Sequence, residues 1–324
     1  MENSTLEKPY VIGLDMGGTN SVFGIVDQRG NILAQTAIST KAYPDIHDYV
    51  EAAKQALQPI IEVAGGIEKI KAMGIGAPNG NYYNGTIEYA ANLVWEGVVP
   101  IGKLFEEALG IPVRVTNDAN AAAQGEMTYG VARGMKNFIM ITLGTGVGSG
   151  IVVDGKVVYG CDGFAGELGH SIFDRSPEAR QCGCGRKGCL ETYTSATGVA
   201  RTARLMLERS TEPSPLRDLD PDKITSYDVF LAAEQGDKLA RDIFEYTGTI
   251  LGKACANFAL FGSPEAFVFF GGLTKAGHYI MDPIQRAYDS EIHNVFKGKA
   301  KLLVSSLNGS EAAVLGASAL GWED

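Results

Sequence analysis

The residues best suited to chemistry fall in two carboxylate-bearing segments and one cysteine loop. In Val115-Thr116-Asn117-Asp118-Ala119-Asn120 an Asn–Asp pair stands where an apolar run gives way to an Ala-rich stretch. Phosphoryl transfer to a hydroxyl needs a carboxylate within hydrogen-bond reach, because the proton leaves as the O–P bond forms. Asp118 is the candidate base, and its competing job is to cap the helix that follows. Asp15, just before Gly17-Gly18-Thr19-Asn20, could hold Mg2+ or its waters against phosphate, or could merely cap a turn. His170, Cys182, Cys184 and Cys189 together make a closed set of imidazole and thiolate donors for a structural Zn2+. Glycines at 183, 185 and 188 leave that loop little core of its own, so a metal clip would supply its order.

Two further loops have the composition of phosphate cradles: Asp15 to Asn20, and Leu143-Gly144-Thr145-Gly146-Val147-Gly148. Missing side chains let backbone N–H groups approach phosphate oxygens, and the Thr hydroxyls add donors. A dinucleotide fingerprint requires a helix after its glycines, whereas SVFGIVD and GSGIVVD read as strands. That context argues against NAD and an oxidoreductase, and no G-x-x-x-x-G-K-[ST] occurs to suggest a P-loop. Gly271-Gly272, after the apolar run AFVFF, offer flat backbone on which an adenosine could lie.

The elements that must position these residues are legible in outline. YVIGLDMG, SVFGIVD and NILAQTAIS are rich in β-branched residues and separated by turns, which predicts an antiparallel meander. FIMITLG, GSGIVVD and KVVYG repeat that order, an internal duplication. Ile46–Ala64 has helical apolar spacing, KIKAMGIGAP and Val113–Asn117 read as strands, and Asp118–Met127 reads as a helix. Helical patterns follow at Ala196–Glu208, Ser226–Glu234, Lys238–Leu260 and Ser310–Leu320, with Ser310 as a possible cap. Alternating strands and helices make the class α/β. Two lobes sharing a hinge are expected: residues 1–117 joined by the C-terminal helix at 309–324, and a larger lobe at 118–308.

Composition narrows the function. The 324 residues are 45% hydrophobic and 20% charged, enough for a sizeable core and two domains. A net charge of −10 repels a polyanion, so nucleic acid is not an expected partner. No run of about 18 apolar residues suggests a membrane span, and residues 1–10 lack a signal-peptide pattern, so a cytoplasmic protein is expected. Cys255 lies in an apolar run and reads as core packing.

A strand, a Gly/Thr turn and a second strand, once in each half, resemble the actin-like (ribonuclease H-like) sugar kinases and ATPases. More specifically, D-x-G-G-T, N-D-A-N-A-A-A, G-E-x-G-H and C-x-C-G-x-x-G-C-x-E, in that order over nearly the whole chain, resemble the ROK family of sugar kinases and repressors. The resemblance implies a two-lobed actin-like fold with a zinc loop in the larger lobe, using ATP and Mg2+ on a hexose. Asn117 would bind sugar hydroxyls, and Asp118 would serve as base for the O6 hydroxyl. Glu167, His170 and Glu191 would bind hydroxyls across the ring, with His170 also on zinc. The presence of all three favours glucose, with fructose, mannose, allose and N-acetylated hexosamines as alternatives. The strand KIKAMGIGAP is usually followed in the family by Gly and a hydrophobic–Asp pair; here Asn79-Gly80-Asn81-Tyr82-Tyr83 follow, with Asn79 and Gly80 carried as candidate sugar contacts. A homodimer is what the family suggests. Repressor members place a DNA-binding domain before the first Gly loop, where this chain has fourteen residues, so a repressor is not expected. A non-catalytic sugar sensor is the rival reading.

Overall fold

The computed structural model describes residues 7–307 and 311–323. The chain forms two compact units, one from residues 1–134, 155–166 and 306–324, the other from 135–154 and 167–305.

In the first unit β1 (Tyr10–Met16), β2 (Asn20–Asp27) and β3 (Ile32–Ser39) form the expected meander, with Leu14 opposite Phe23 and Gly24 opposite Gln35. On the other side of β1 lies β4 (Ile70–Gly76), parallel to it. Three short antiparallel strands follow, β5 (Gly80–Asn81), β6 (Thr86–Glu88) and β7 (Val98–Val99). Then β8 (Val113–Thr116) adds in parallel to β4, and the sheet runs β3-β2-β1-β4-β8. Helix α1 (Ile46–Val63) starts where the Asp45 carboxylate accepts the His47 N–H. It buries Val50, Ala53, Leu57 and Ile60, a stripe of helical spacing, in one core with Phe23, Met73 and Phe105. Helix α2 (Ile101–Leu109) contributes Phe105, and α3 (Asp118–Tyr129) springs directly from β8.

The second unit repeats the plan. β9 (Phe138–Leu143) and β10 (Val147–Val153) form an antiparallel hairpin. The KVVYG run, which falls in the 155–166 stretch of the first unit, is strand only over β11 (Lys156–Val157), so the third member of the repeated meander is much shorter than expected. β12 (Ala266–Phe270) and β13 (Lys301–Val304) add in parallel beyond β9, in the order β10-β9-β12-β13. Four of the five residues of β12 are fully buried, the continuous apolar run of a parallel strand covered on both faces. Helices α4 (Glu191–Thr194), α5 (Ala196–Arg209), α6 (Ser226–Glu234), α7 (Lys238–Gly262) and α8 (His278–Glu291) build the surrounding layers, with Cys255 of α7 in the core.

The last helix, α9 (Ala312–Leu320), returns to the first unit and packs on β1, β4 and α3. Val314, Ala317 and Leu320 are buried there. The expected cap Ser310 lies outside the described residues. Because α3 packs along α9, it belongs with the first unit, and the break falls at Gly134 rather than at 117/118. Among the described residues no helix is long and apolar enough to cross a membrane.

Candidate active site

Strand register brings the first group of candidate residues together. Asp15 on β1 is the partner of Gly76 on β4, and Gly76 the partner of Thr116 on β8. Asn117 and Asp118 follow directly on β8, so the two carboxylates stand at the carboxyl ends of parallel strands on either side of β4, where open α/β sheets bind ligands. Asn117, not Asp118, caps α3: its Oδ1 accepts the Asn120 N–H at 2.7 Å. That leaves the Asn117 Nδ2 to donate to a ligand and relieves Asp118 of its competing job. Asp118 is solvent-accessible, with Oδ1 accepting the Ala119 N–H at 2.8 Å. The dense protein around its carboxyl raises its pKa. Burial, reinforced by the Asp118 charge, pushes Asp15 up to about 6. Two carboxyl groups whose burial penalises their charge are suited to receive a cation.

The turn after Asp15 is a hairpin closed by Gly17 N–H donating to the Asn20 carbonyl at 3.0 Å, with Thr19 and Asn20 exposed. Gly80 lies against β8, and a methyl group there would come within 2.2 Å of the Thr116 carbonyl oxygen, so only glycine fits. Asn79 adopts a left-handed φ of 52° and donates from Nδ2 to the Glu88 and Tyr89 carbonyls. Its amide NH2 therefore shapes the loop, leaving Oδ1 for other partners.

In the second unit Gly144 N–H donates to the Gly146 carbonyl at 3.1 Å, closing the equivalent hairpin turn. Both glycine turns lead into strands, as the sequence predicts, and neither into a helix. The second turn is anchored by helix starts: Ala196 N–H donates to the Gly144 carbonyl at 2.9 Å and Thr197 Oγ1 to the Thr145 carbonyl at 2.7 Å. Glu191 Oε2 accepts the Val147 N–H at 3.0 Å, and a methyl on Gly146 would come within 2.3 Å of that oxygen. Beside the turn, Gly271 follows β12, whose Phe270 is in register with Thr142. A cleft of about 440 Å³ lies here, lined by Gly144, Thr145, Tyr227, Gly272 and Lys275 among others.

The cysteine loop converges as its spacing suggests. The ligand atoms of His170, Cys182, Cys184 and Cys189 all lie within 4.8 Å of one another. Cys184 Sγ is 3.6 Å from Cys189 Sγ, and Cys182 Sγ is 3.7 Å from His170 Nδ1. Four soft donors at such separations fit a tetrahedral Zn2+, whose Zn–S bonds of about 2.3 Å set sulfurs slightly under 4 Å apart. The other ring nitrogen, His170 Nε2, faces Glu167 Oε2 at 3.9 Å. Cys182 Sγ also donates to Glu191 Oε1 at 3.5 Å, so one carboxylate joins this loop to the second glycine turn. The Arg186 guanidinium donates to the His170 carbonyl.

Sequence reasoning passed over Arg180, Thr197, Tyr82 and Glu323. Arg180 is buried, donates to the Thr192 and Gly198 carbonyls and to Thr202 Oγ1, and covers the Tyr193 ring at 4.4 Å. It fixes the path from the cysteine loop into α5. Its one local signal is a cationic residue just before the first cysteine, indistinguishable in sequence from an exposed arginine.

Two sheets of repeated topology, each opening on a glycine hairpin turn, define an actin-like ATPase fold of the sugar-kinase kind. The chain belongs to the ROK family, whose family model matches residues 11–323. It is 35% identical over 318 residues to a glucokinase of Streptomyces coelicolor, covering 96% of this chain and 97% of that protein. A glucokinase of Halalkalibacterium halodurans is also 35% identical, over 320 residues, 97% of this chain and 94% of that one. Among solved structures, a ROK family glucokinase from Streptomyces griseus in complex with glucose and AMPPNP superposes with a TM-score of 0.78 at 34% identity, covering 96% of this chain and 98% of that one.

Proposed function

We propose that the protein is an ATP-dependent hexose kinase that phosphorylates O6, with glucose its first substrate. The observation carrying this is Asp118: a solvent-accessible carboxylate at the end of β8, relieved of capping by Asn117, with its pKa raised by the surrounding protein. A base with a raised pKa takes a hydroxyl proton more readily. The O6 proton passes to Asp118, the O6–Pγ bond forms, and the bond from Pγ to the β-phosphate oxygen breaks to release ADP. Asn117 donates to a sugar hydroxyl, and Asn79, Gly80, Glu167, His170 and Glu191 are further sugar partners. Gly17, Gly18, Thr19 and Asn20, with Gly144, Thr145 and Gly146, offer backbone and hydroxyl donors to the phosphates. Gly271 and Gly272 lie along the adenosine. Mg2+ would be held through Asp15 and would offset phosphate charge. Zn2+ would be held by His170, Cys182, Cys184 and Cys189 and would order the loop without taking part in the reaction. The glucokinase relatives and the presence of Glu167, His170 and Glu191 support glucose as the first substrate. The working form is a homodimer in the cytoplasm, which light scattering of the purified protein checks.

The test is ADP formation from Mg-ATP across a hexose panel, comparing the native chain with Asp118→Asn. Glucose should give turnover that the variant loses by about 10³-fold or more while still binding sugar. If no hexose stimulates ADP formation but glucose binds, the protein is a sugar sensor.

A further inference from the structure

The Glu323 carboxylate collects bonds from three elements of the first unit. Oε1 accepts Gln124 Nε2 at 2.8 Å; Oε2 accepts the Tyr82 hydroxyl at 2.7 Å and stands 3.9 Å from Arg114 Nε. Next to it the Trp322 indole N–H donates to the Tyr129 hydroxyl at 2.7 Å, and the Trp322 carbonyl accepts Lys71 Nζ at 2.9 Å. Residues 322 and 323 therefore hold α3 at its middle and at its end. Gln124 follows Asp118 by six residues, about 9 Å along the helix axis, so Glu323 acts at a distance from any reacting atom.

Tyr82 belongs to the loop that begins at Asn79 and Gly80. Its ring stacks on Tyr159 with centroids 3.9 Å apart and planes inclined by 7°. On either side of it, Asn81 Nδ2 donates to the Asp162 carbonyl at 2.8 Å and the Tyr83 hydroxyl to the Gly160 carbonyl at 2.7 Å. The loop is thus bonded to residues 160 and 162 on one side and to Glu323 on the other. An enclosed carboxylate costs free energy that well-aimed donors must offset, and here those donors come from the elements bearing the hexose-side residues. The second glycine turn, Gly144–Gly146, belongs to none of them.

We propose that Glu323 is a positioning residue for the hexose side of the reaction, fixing through Gln124 the helix that begins at Asp118 and through Tyr82 the loop that begins at Asn79. The inference rests on the kinase reading above. Its test is steady-state kinetics of the full-length chain with Mg-ATP and glucose. Glu323→Ala should raise the glucose KM about tenfold and lower kcat, with the ATP KM within about twofold of native. Glu323→Gln keeps an acceptor for Tyr82 and, with the Gln124 amide turned over, a bond to that side chain, so it should recover most of the loss. Tyr82→Phe keeps the ring stack and removes one hydrogen bond, and should raise the glucose KM about threefold. In the Glu323→Ala background, Tyr82→Phe should add nothing, because the two act through one contact. Equal rises in both KM values, a fall in kcat alone, or multiplying effects of the two substitutions would overturn the proposal. If Glu323→Ala does not fold, Tyr82→Phe decides alone, and an unmoved glucose KM rejects the role. A native chain with no hexose-dependent turnover defeats the kinase reading and this proposal with it; native turnover with an unmoved glucose KM in the variants defeats only the positioning role.

Discussion

The two glycine turns occupy the same place in two sheets of the same topology, yet they acquire their carboxylates differently. The first carries its own, Asp15, one residue before the turn's opening Met-Gly and on the same strand. The second has none in its loop and takes Glu191 from 44 residues further along, bonded to the Val147 N–H. The first is therefore an acidic turn, where burial, reinforced by the Asp118 charge, raises the Asp15 pKa and favours its protonated form. The second is a turn whose N–H groups are partly committed to protein acceptors, one of them Glu191, which stands 3.5 Å from Cys182 Sγ of the cysteine loop. A shared backbone plan leaves open which charge each turn meets.

The most severe way to separate the turns is to break the proposed Zn2+ site. Purified protein should contain about one Zn per chain, and Cys189→Ser should lose it, with kcat/KM reduced about ten- to a hundredfold. The second turn is reached from the loop through Glu191, which lies between Cys182 and Val147, so hydrogen exchange should quicken at Val147 and Gly148 and stay unchanged at Gly17 and Gly18; equal quickening at both turns would show global loosening instead.

A milder division lies inside the second turn. Gly146→Ala places a methyl against Glu191, whereas a methyl on Gly144 has nothing within 4 Å. The Gly146 substitution should raise the ATP KM about tenfold and lower stability by about 1–3 kcal/mol, and the Gly144 substitution should leave stability nearly unchanged. Denaturant melts of the two variants check the contrast, and like values would show that Glu191 simply swings aside.

The smallest expected effect belongs to the first turn. Asp15 has a folded-state pKa of about 6 against an ordinary value of 3.8, so folding binds a proton there. Its carboxylate imposes no cost below pH 3.8, and the cost grows as pH rises toward 6 and then stays. In Mg2+-free buffer Asp15→Asn should leave Tm unchanged near pH 3.5 and raise it by about 2 °C at pH 8. A Tm gain equal at both pH values would show that the carboxylate's charge is not the cause.

The sequence makes the strands around both turns legible because their cue is local: β-branched runs broken by glycine. The Asn–Asp pair is equally visible at the end of β8, but which of the two caps α3 is not. Both side chains are good caps, and the choice depends on φ and ψ at Asn117. The cysteine loop is readable from ligand type and spacing. The Glu191–Val147 and Glu323–Tyr82 bonds are not, since their partners lie 44 and 241 residues apart and each residue alone looks like an ordinary surface acid or loop aromatic. The unit boundary escapes for a similar reason. Nothing in Asp118–Tyr129 announces that its partner will be the helix at Ala312–Leu320, and that packing assigns α3 to the first unit.

The path of the chain has a practical consequence for cutting it. The first unit is assembled from three separate stretches and the second from two, so each covalent path interrupts the other. A protease nick in the exposed Thr211–Glu212–Pro213 segment would leave both products entangled in one folded body, because that segment lies within the second unit's longer stretch and its flanking pieces share a core. Such a protein should migrate as two fragments under denaturing conditions while behaving as a single particle in native buffer, and neither unit can be obtained as one contiguous piece of the gene.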